Sequence, residues 1–149
     1  MFNRIYVPID NSDISDKVLQ EAIKLAKSST AKLRIAHVVN LEQITFGIEM
    51  VGVAELKDAL LSIGQSLIDK VKLQLATAGV DAEVKLIENF GSEMSALVAE
   101  DAKEFGADLF ILGSHNLGSF SHFITGGIAE DLAKETEVPI LLITKHKQK

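Results

Sequence analysis

The chain alternates short apolar runs with longer segments of helical periodicity. Runs rich in β-branched and aromatic residues predict five strands, at residues 4–9, 33–39, 82–86, 107–112 and 138–144. Apolar residues spaced three and four apart predict the intervening helices, which end near residue 29, Ala78, Phe105 and Glu135. Residues 40–52 show no clear period and predict a loop.

Strict alternation of strands and helices predicts an α/β fold, a parallel sheet with helices on both faces and right-handed crossovers. The third strand alternates apolar and polar residues, which indicates an edge strand with one solvated face. The position of the third strand at one margin of the sheet favours the strand order 3-2-1-4-5. This is the order of one half of a dinucleotide-binding, Rossmann-like sheet. Pro139 suits the start of an edge strand, so strand five is expected at the other margin.

This strand order predicts where a ligand binds. The topological switch falls between strands one and four, so a ligand is expected beyond their carboxyl ends, which carry Asp10 and Gly113. Gly113 opens a stretch of fifteen residues with four glycines, the others being Gly118, Gly126 and Gly127. A buried strand that leads into a glycine-rich loop and then a helix offers backbone N–H groups to an anion, and a nucleotide phosphate is the obvious one.

Composition limits the classes of function. With 149 residues the chain is expected to form one domain, 1–149, and no apolar run reaches the roughly 18 residues of a membrane span. No secretory signal and no cysteine is found, which agrees with a cytoplasmic protein and excludes disulfides and thiolate nucleophiles. A net charge of −6 argues against binding to nucleic acid, and the basic tail at 145–149 is expected to be solvated.

Three segments resemble the universal stress protein family, and the resemblance covers essentially the whole chain. They are Ile5-Tyr6-Val7-Pro8-Ile9-Asp10, Ala36-His37-Val38-Val39, and Leu112-Gly113-Ser114-His115 with Gly126 onward. The order of elements matches, and the closing run 138–143 is similar to the last strand of the family. The resemblance implies an adenine nucleotide alpha hydrolase-like fold.

The glycine loop matches the family's ATP-binding pattern only in part. ATP-binding members carry glycine, two residues, glycine, nine residues, then glycine followed by serine or threonine. Gly113 and Gly126 match, but Asn116 stands at the second glycine and Gly127 replaces the hydroxyl residue. Asparagine tolerates a left-handed turn, so Asn116 is expected to preserve the loop. One lost phosphate hydrogen bond at Gly127 costs about 1.5–3 kcal/mol, roughly a ten- to hundredfold weakening.

The resemblance also implies which residues contact the nucleotide. Asp10 would accept a hydrogen bond from the adenosine, and Val38 would contact it through backbone and apolar atoms. Ile128 and Ala129 would donate backbone N–H groups to phosphate. The full implied set is Pro8, Ile9, Asp10, Val38, Leu112, Gly113, His115, Asn116, Gly126, Gly127, Ile128 and Ala129.

Simpler roles for some of these residues stay open. Asp10 equally suits capping of the following helix, and His115 is by default a solvated loop histidine rather than a phosphate ligand or base. His37, His115 and His122 lack the spacing of a metal motif, so no protein-built metal site is expected, although magnesium can arrive with a nucleotide. The apolar loop residues 120–124 are expected to pack on the sheet.

The preferred function is a stress-response regulatory module that binds ATP or a related adenine nucleotide and changes its contacts with a regulatory protein partner. The resemblance favours a homodimer through the last strand, Val138 to Thr144. The first alternative is an enzyme, a weak ATP hydrolase or nucleotidyl transferase, but no Lys or Arg occurs between Phe105 and Lys134 to stabilise a transferring phosphate. The second is a family member that binds no nucleotide and acts through protein contacts.

Two other α/β classes do not fit. A receiver domain needs paired acids after strand one and a phosphoacceptor aspartate after strand three, whereas this chain has Asp10-Asn11 and Glu88-Asn89. A flavodoxin places its phosphate loop after strand one, but residues 10–15 contain no glycine and are acidic. Both classes are therefore excluded on their signature residues.

Overall fold

The computed structural model of the chain describes residues 2–42, 52–114 and 126–144. The strands are β1 (Arg4–Ile9), β2 (Lys32–Asn40), β3 (Ala82–Asn89), β4 (Leu109–Ser114) and β5 (Ile140–Thr144). The helices are α1 (Asp13–Ser29), α2 (Val53–Ala78), α3 (Met94–Phe105) and α4 (Asp131–Glu135), and a π-helical turn, Gly126–Glu130, leads into α4. Every predicted strand is present, and the last predicted helix is divided between the π-helical turn and α4.

The five strands form one parallel sheet in the order β3-β2-β1-β4-β5, which confirms the predicted topology and both predicted edges. Several strand boundaries differ from the prediction, and three of the differences bear on the site or the sheet edges. β3 continues to Asn89 because it stays paired with β2 up to Asn40. β4 includes Gly113, which was expected in the loop, and β5 begins after Pro139, at Ile140.

Alternate residues of the strands face two separate cores. On one face, residues such as Ile5, Val7 and Leu33 pack against α1 and α2. On the other, Tyr6, Ala36 and Phe110 pack against α3 and α4. Because the central strand β1 is covered on both faces, Ile5, Tyr6 and Val7 are all fully buried, as a continuous apolar run in a parallel sheet predicts.

The first half of helix α2 turns two residues of its apolar pattern toward solvent. Leu56 and Ile63 follow the helical period but are 46% and 56% exposed, whereas Gly64 and, further along the helix, Val71 are buried. The reason is close packing on the sheet, since a Cβ added at Gly64 would lie 2.7 Å from Val39 Cγ2. The lack of a side chain at Gly64 therefore sets the orientation of this part of α2, and the spacing of apolar residues in the sequence does not reveal it.

A network of hydrogen-bonded and charged side chains borders the second core. Tyr6 Oη donates to Asp101 Oδ2 at 2.6 Å, and Arg34 and Lys85 donate to Asp101 Oδ1. The Arg34 guanidinium also lies 4.8 Å from the centroid of the Phe105 ring. Asp101 is buried, so its charge is compensated by three donors from three different strands.

The network shifts the pKa of its members in opposite directions. Burial raises the pKa of Tyr6 far above its ordinary value, and the hydrogen bond to Asp101 adds to the effect. Burial also acts to raise the pKa of Asp101, but hydrogen bonds from Lys85 and Tyr6 and the charges of Lys85 and Arg34 outweigh it. The pKa of Asp101 is therefore held below its ordinary value.

Asp101→Asn is expected to lower the free energy of unfolding at neutral pH by about 1–3 kcal/mol, because it removes the charge that compensates Lys85 and Arg34. A depressed carboxyl pKa stabilises the fold above the unfolded pKa of about 4, and this contribution is lost as the pH falls through the folded pKa. Urea unfolding at several pH values should show the two proteins converging in acid.

The matched control for this variant is Asp81→Asn, since Asp81 is exposed and should change stability by less than about 0.5 kcal/mol. A stability difference between wild type and Asp101→Asn that is the same at neutral and acidic pH would contradict the assigned role of the carboxylate.

Candidate functional site

A cleft opens where β1 and β4 part. The two strands pair only at Ile5 with Leu109 and at Tyr6 with Phe110, while β1 stays paired with β2 as far as Ile9. Pro8 lies beyond the last β1–β4 pair, a position where a missing N–H interrupts no pairing with β4. The predicted switch point between strands one and four is therefore an opening between the carboxyl ends of β1 and β4, which are inner strands of the sheet.

A cavity of about 270 Å³ occupies this cleft, near the lower end of the range for small-molecule sites. Seven of the predicted binding residues line it: Pro8, Ile9, Asp10, Val38, Leu112, Gly113 and Ile128. Six lining residues were not predicted: Ser12, Ile14, Ser15, Ala36, Met94 and Val98. Three strands (β1, β2 and β4), the β1–α1 loop, α1, α3 and the π-helical turn thus meet around one space.

The cavity has an apolar part and a polar part. Ala36 and Leu112 on the sheet and Val98 on α3 form an apolar wall, and all three are buried. Met94 and Ile128 extend this wall. The polar part is formed by Asp10 and Ser12 of the β1–α1 loop and by Ser15 in the first turn of α1. This arrangement suits a ligand with a flat apolar body and hydroxyl groups at one end.

Asp10 is held by its own loop. Its Oδ1 accepts hydrogen bonds from the Ser12 backbone N–H at 2.8 Å, from Ser12 Oγ, and from Ser15 Oγ at 3.0 Å. Its backbone N–H donates to Ser15 Oγ at 2.9 Å. The N-cap residue of α1 is Ser12, so Asp10 supports the residue that begins the helix and does not itself occupy the cap. The carboxylate orientation is thereby fixed before any ligand binds.

The end of β1 is also supported from the opposite face of the sheet. Buried His37 donates from Nδ1 to the Ile9 carbonyl at 3.0 Å, since a carbonyl can only accept. Ile9 with His37 is the last β1–β2 pair, so Val38 lies past the end of β1. Val38 therefore faces the cleft with no β1 residue opposite it.

Gly113 is required by packing. A Cβ at this position would lie 2.9 Å from Ile14 Cγ2 and 3.0 Å from Val18 Cγ2, both on α1. The sequence assigned this glycine to a phosphate loop, whereas in the structure it is a strand residue against which α1 rests. The close contact also brings the first turn of α1 to the rim of the cavity.

The remaining predicted site residues fall in two groups. His115 and Asn116 lie outside the described residues, as do the apolar loop 120–124 and the tail 145–149. Gly126, Gly127 and Ala129 belong to the π-helical turn. Ala129 packs against the second core and does not line the cavity. Ile128, from the same turn, does line it.

The unpredicted lining residues left weak signals in the sequence. Ser12 and Ser15 follow Asp10 at spacings that suit hydrogen bonds to an aspartate in a turn. Met94 and Val98 lie four residues apart, so they share the apolar face of α3 that packs into the second core. That face also borders the cavity.

The described part of the site offers few groups for catalysis or for metal binding. Asp10 is the one ionisable residue among the described residues that line the cavity. No cluster of three His, Asp or Glu side chains suited to metal binding occurs within 2–42, 52–114 and 126–144. In the same part of the chain, no helix has the length and apolar character needed to cross a membrane.

Sequence comparison gives a consistent result. A sequence model described as the universal stress protein family matches residues 1–144. The chain is 27% identical to universal stress protein YxiE of Bacillus subtilis, covering 96% of this chain and 99% of that protein. It is 28% identical to universal stress protein MJ0531 of Methanocaldococcus jannaschii, covering 99% and 85% of the two chains.

Structural comparison finds the same fold. The structure of protein MJ0577 superposes with a TM-score of 0.80 at 19% identity and covers 99% of both chains. A universal stress protein in complex with cAMP gives a TM-score of 0.68 at 20% identity, with 97% and 98% coverage. One from Archaeoglobus fulgidus in complex with dAMP gives 0.67 at 19%, with 95% and 97% coverage.

Gly113→Ala is expected to reduce the free energy of unfolding by about 1–3 kcal/mol, because the new methyl group overlaps α1. In an Ile14→Ala background the same substitution should cost less, by at least about 0.5 kcal/mol, since the overlapping side chain is gone. Chemical denaturation of the four proteins of this double-mutant cycle measures the coupling. Additive effects would show that contact with α1 is not the reason for glycine here.

Proposed function

The chain belongs to the universal stress protein family, and from this premise we propose that it is a stress-response regulatory protein that binds an adenine nucleotide in the cavity between β1 and β4. The observation that carries the proposal is that seven of the residues implied by the family resemblance line one cavity, at the switch point that the strand order also predicts. The complexes of related folds with cAMP and dAMP support the adenine base as the recognised group.

The apolar wall of the cavity is the proposed site of the base. Ala36, Leu112 and Val98 offer flat, buried apolar surface, which favours an aromatic ring over a hydrated group. Val38 lies past the last β1–β2 pair, so its backbone is positioned to meet the edge of the base. The ring edge carries the hydrogen-bonding atoms, so this contact would distinguish adenine from an apolar ring.

Asp10 is the proposed ribose ligand. A carboxylate accepts hydrogen bonds and donates none at neutral pH, which matches a sugar hydroxyl and not a phosphate. Its Oδ1 already accepts from Ser12 and Ser15, so the side chain enters the interaction in a fixed orientation. Preorganisation of this kind lowers the entropy cost of binding.

The phosphates are proposed to extend from Gly113 toward the π-helical turn. Gly126, Gly127, Ile128 and Ala129 would supply backbone N–H groups there, with His115 and Asn116 on the intervening loop. ATP belongs to the proposed ligand set together with magnesium, whose site would consist mainly of phosphate oxygens and water. No protein residue is assigned to the metal.

The protein is further proposed to form a homodimer through β5. Leu141 and Leu142 are 42% and 46% exposed on this edge strand, and Ile140 and Ile143 are half-buried. An exposed apolar edge is a liability that pairing with a second copy removes. A two-fold axis would place the two copies of β5 side by side.

A binding module fits the site better than an enzyme. The described wall has no arginine, lysine or histidine to stabilise a transferring phosphate or to act as a base. The protein is proposed to be a single domain of 149 residues that acts in the cytoplasm through contacts with a regulatory protein, without nucleic-acid or membrane partners. Slow ATP hydrolysis is the alternative that direct assay must address.

Val38→Phe is expected to weaken adenine nucleotide binding at least tenfold, because the larger side chain fills the space assigned to the base. Isothermal titration with cAMP, AMP and ATP, together with mass analysis of any ligand that copurifies, tests the proposal. Circular dichroism of the variant separates loss of the site from loss of the fold.

Failure of every adenine nucleotide to bind at millimolar concentration would refute the proposed function. Tight binding without product formation supports the module. ATP turnover that is lost in Asp10→Ala and retained in Asp81→Ala would instead favour the enzyme.

Replacing Leu141 and Leu142 together by lysine is expected to convert the dimer to a monomer, because two charges on each strand would face one another across the two-fold axis. Light scattering coupled to size exclusion measures the mass. The matched control is Leu73→Lys on α2, which removes a more exposed leucine, at 70%, from a helix. Equal behaviour of the two variants would exclude β5 as the interface.

A further inference from the structure

The outer edge of β3 presents a row of backbone groups that no other described strand uses. β3 is the last strand of the sheet, and among the described strands it pairs only with β2. The Asp81 carbonyl accepts a hydrogen bond from Leu33 of β2, and the Asn89 carbonyl accepts one from the residue that follows β2. Because the backbone groups of successive residues alternate in direction, those of even-numbered residues face outward. These residues are Ala82, Val84, Leu86 and Glu88.

A groove of about 390 Å³ lies beside this edge, between β3 and α3. It shares no described lining residue with the cavity between β1 and β4. Its lining on α3 consists of Leu97, Glu100, Asp101 and Glu104, which recur at spacings of three and four and so share one face of the helix. A strand placed beside β3 would turn every second side chain toward this face of α3.

The groove carries an excess of negative charge. Four carboxylates and one lysine are among the described residues that line it. The lysine donates to Asp101, and Glu104 Oε1 lies 3.2 Å from Arg34 Nη1. Glu88 and Glu100 are exposed, and neither forms an ion pair within residues 2–42, 52–114 and 126–144. These two carboxylates are therefore available to cations from another molecule.

The same charges disfavour a second copy of the chain as the occupant of this edge. Two copies of β3 side by side would bring two acidic grooves together, which repulsion between like charges opposes. Glu83 and Lys85 also place charged side chains on the edge strand itself, a feature that discourages pairing between identical edges. Charge complementarity instead favours a partner with basic side chains.

We propose that the edge of β3 is a docking site for an extended, basic segment of a partner protein, which adds a sixth strand to the sheet. Main-chain hydrogen bonds to the outward-facing groups of β3 hold the segment, and lysine or arginine at alternate positions faces Glu100 and Glu104. Alternate residues of a strand lie about 6.6 Å apart, which matches the rise of about 6 Å between residues four apart on a helix. In this mode of recognition the main chain supplies affinity and the side chains supply specificity.

The probe is a short capped peptide that alternates lysine with valine and threonine, titrated against the full chain by calorimetry. The matched peptide carries glutamate in place of lysine. We expect the lysine peptide to bind at least tenfold more tightly than the glutamate peptide at low salt. Added salt should narrow the difference, since screening weakens interactions between charges.

Amide hydrogen exchange measured by NMR tests whether the peptide pairs with β3. At saturating lysine peptide, the N–H groups of Val84, Leu86 and Glu88 should exchange about tenfold more slowly or less, because they acquire hydrogen-bond acceptors. The N–H groups of Glu83 and Lys85 already face β2, so their exchange should change little. Peptide that binds through charge alone would leave both sets unchanged.

Glu100→Lys tests the acidic wall, since it replaces an exposed carboxylate on α3 and leaves the network around Asp101 in place. We expect it to weaken binding of the lysine peptide about fivefold or more. The matched control is Glu135→Lys, an exposed position on α4, the helix between β4 and β5 at the other margin of the sheet. Circular dichroism checks that both variants keep the fold.

Four results would overturn the proposal, and none of them depends on whether adenine nucleotides bind. They are failure of the lysine peptide to bind at millimolar concentration, equal binding of the two peptides, equal effects of the two variants, and bound peptide without protection of the outward-facing amides. Protection of the same amides that rises with protein concentration in the absence of peptide would identify a second copy as the occupant and would also overturn it.

Discussion

The separation of β1 from β4 is the constraint on which the site depends. The two strands share two residue pairs and then part, while β1 remains fixed to β2 as far as Ile9. In this sheet α1, which follows β1, and α4, which follows β4, pack on opposite faces, so neither helix fills the gap between the strand ends. The cavity, the position of Val38 past the end of β1 and the placement of Pro8 all follow from this divergence.

Two glycines then allow α1 and α2 to pack closely against the sheet. Gly113 lets α1 rest on β4, which carries the β1–α1 loop and Asp10 to the rim of the cavity. Gly64 lets α2 approach Val39 in the same manner on the outer part of the sheet. On the second face the charged network around Asp101 holds α3 to β1, β2 and β3, and α3 supplies Met94 and Val98 to the cavity wall.

Prediction from sequence was accurate where the local pattern of apolar and polar residues is sufficient. Runs such as Ile5 to Ile9 and Val53 to Ala78 predicted the elements, and the edge pattern of β3 predicted the strand order. It failed where the outcome depends on neighbours distant in the chain. Leu56 and Ile63 follow the helical period but are exposed, and Asp101 resembles any helical aspartate until its partners from β1, β2 and β3 are known.

The sequence by itself determined the topology, the switch point and the family resemblance, because alternation of elements and the signatures at Asp10 and Gly113 are local properties. Only the tertiary structure decided that Gly113 serves helix packing, that Ser12 and Ser15 orient Asp10, and that Ala36, Met94 and Val98 complete the wall. It also decided that Asp10 is the ionisable residue among the described residues that line the cavity, since proximity in space does not follow from position in the chain.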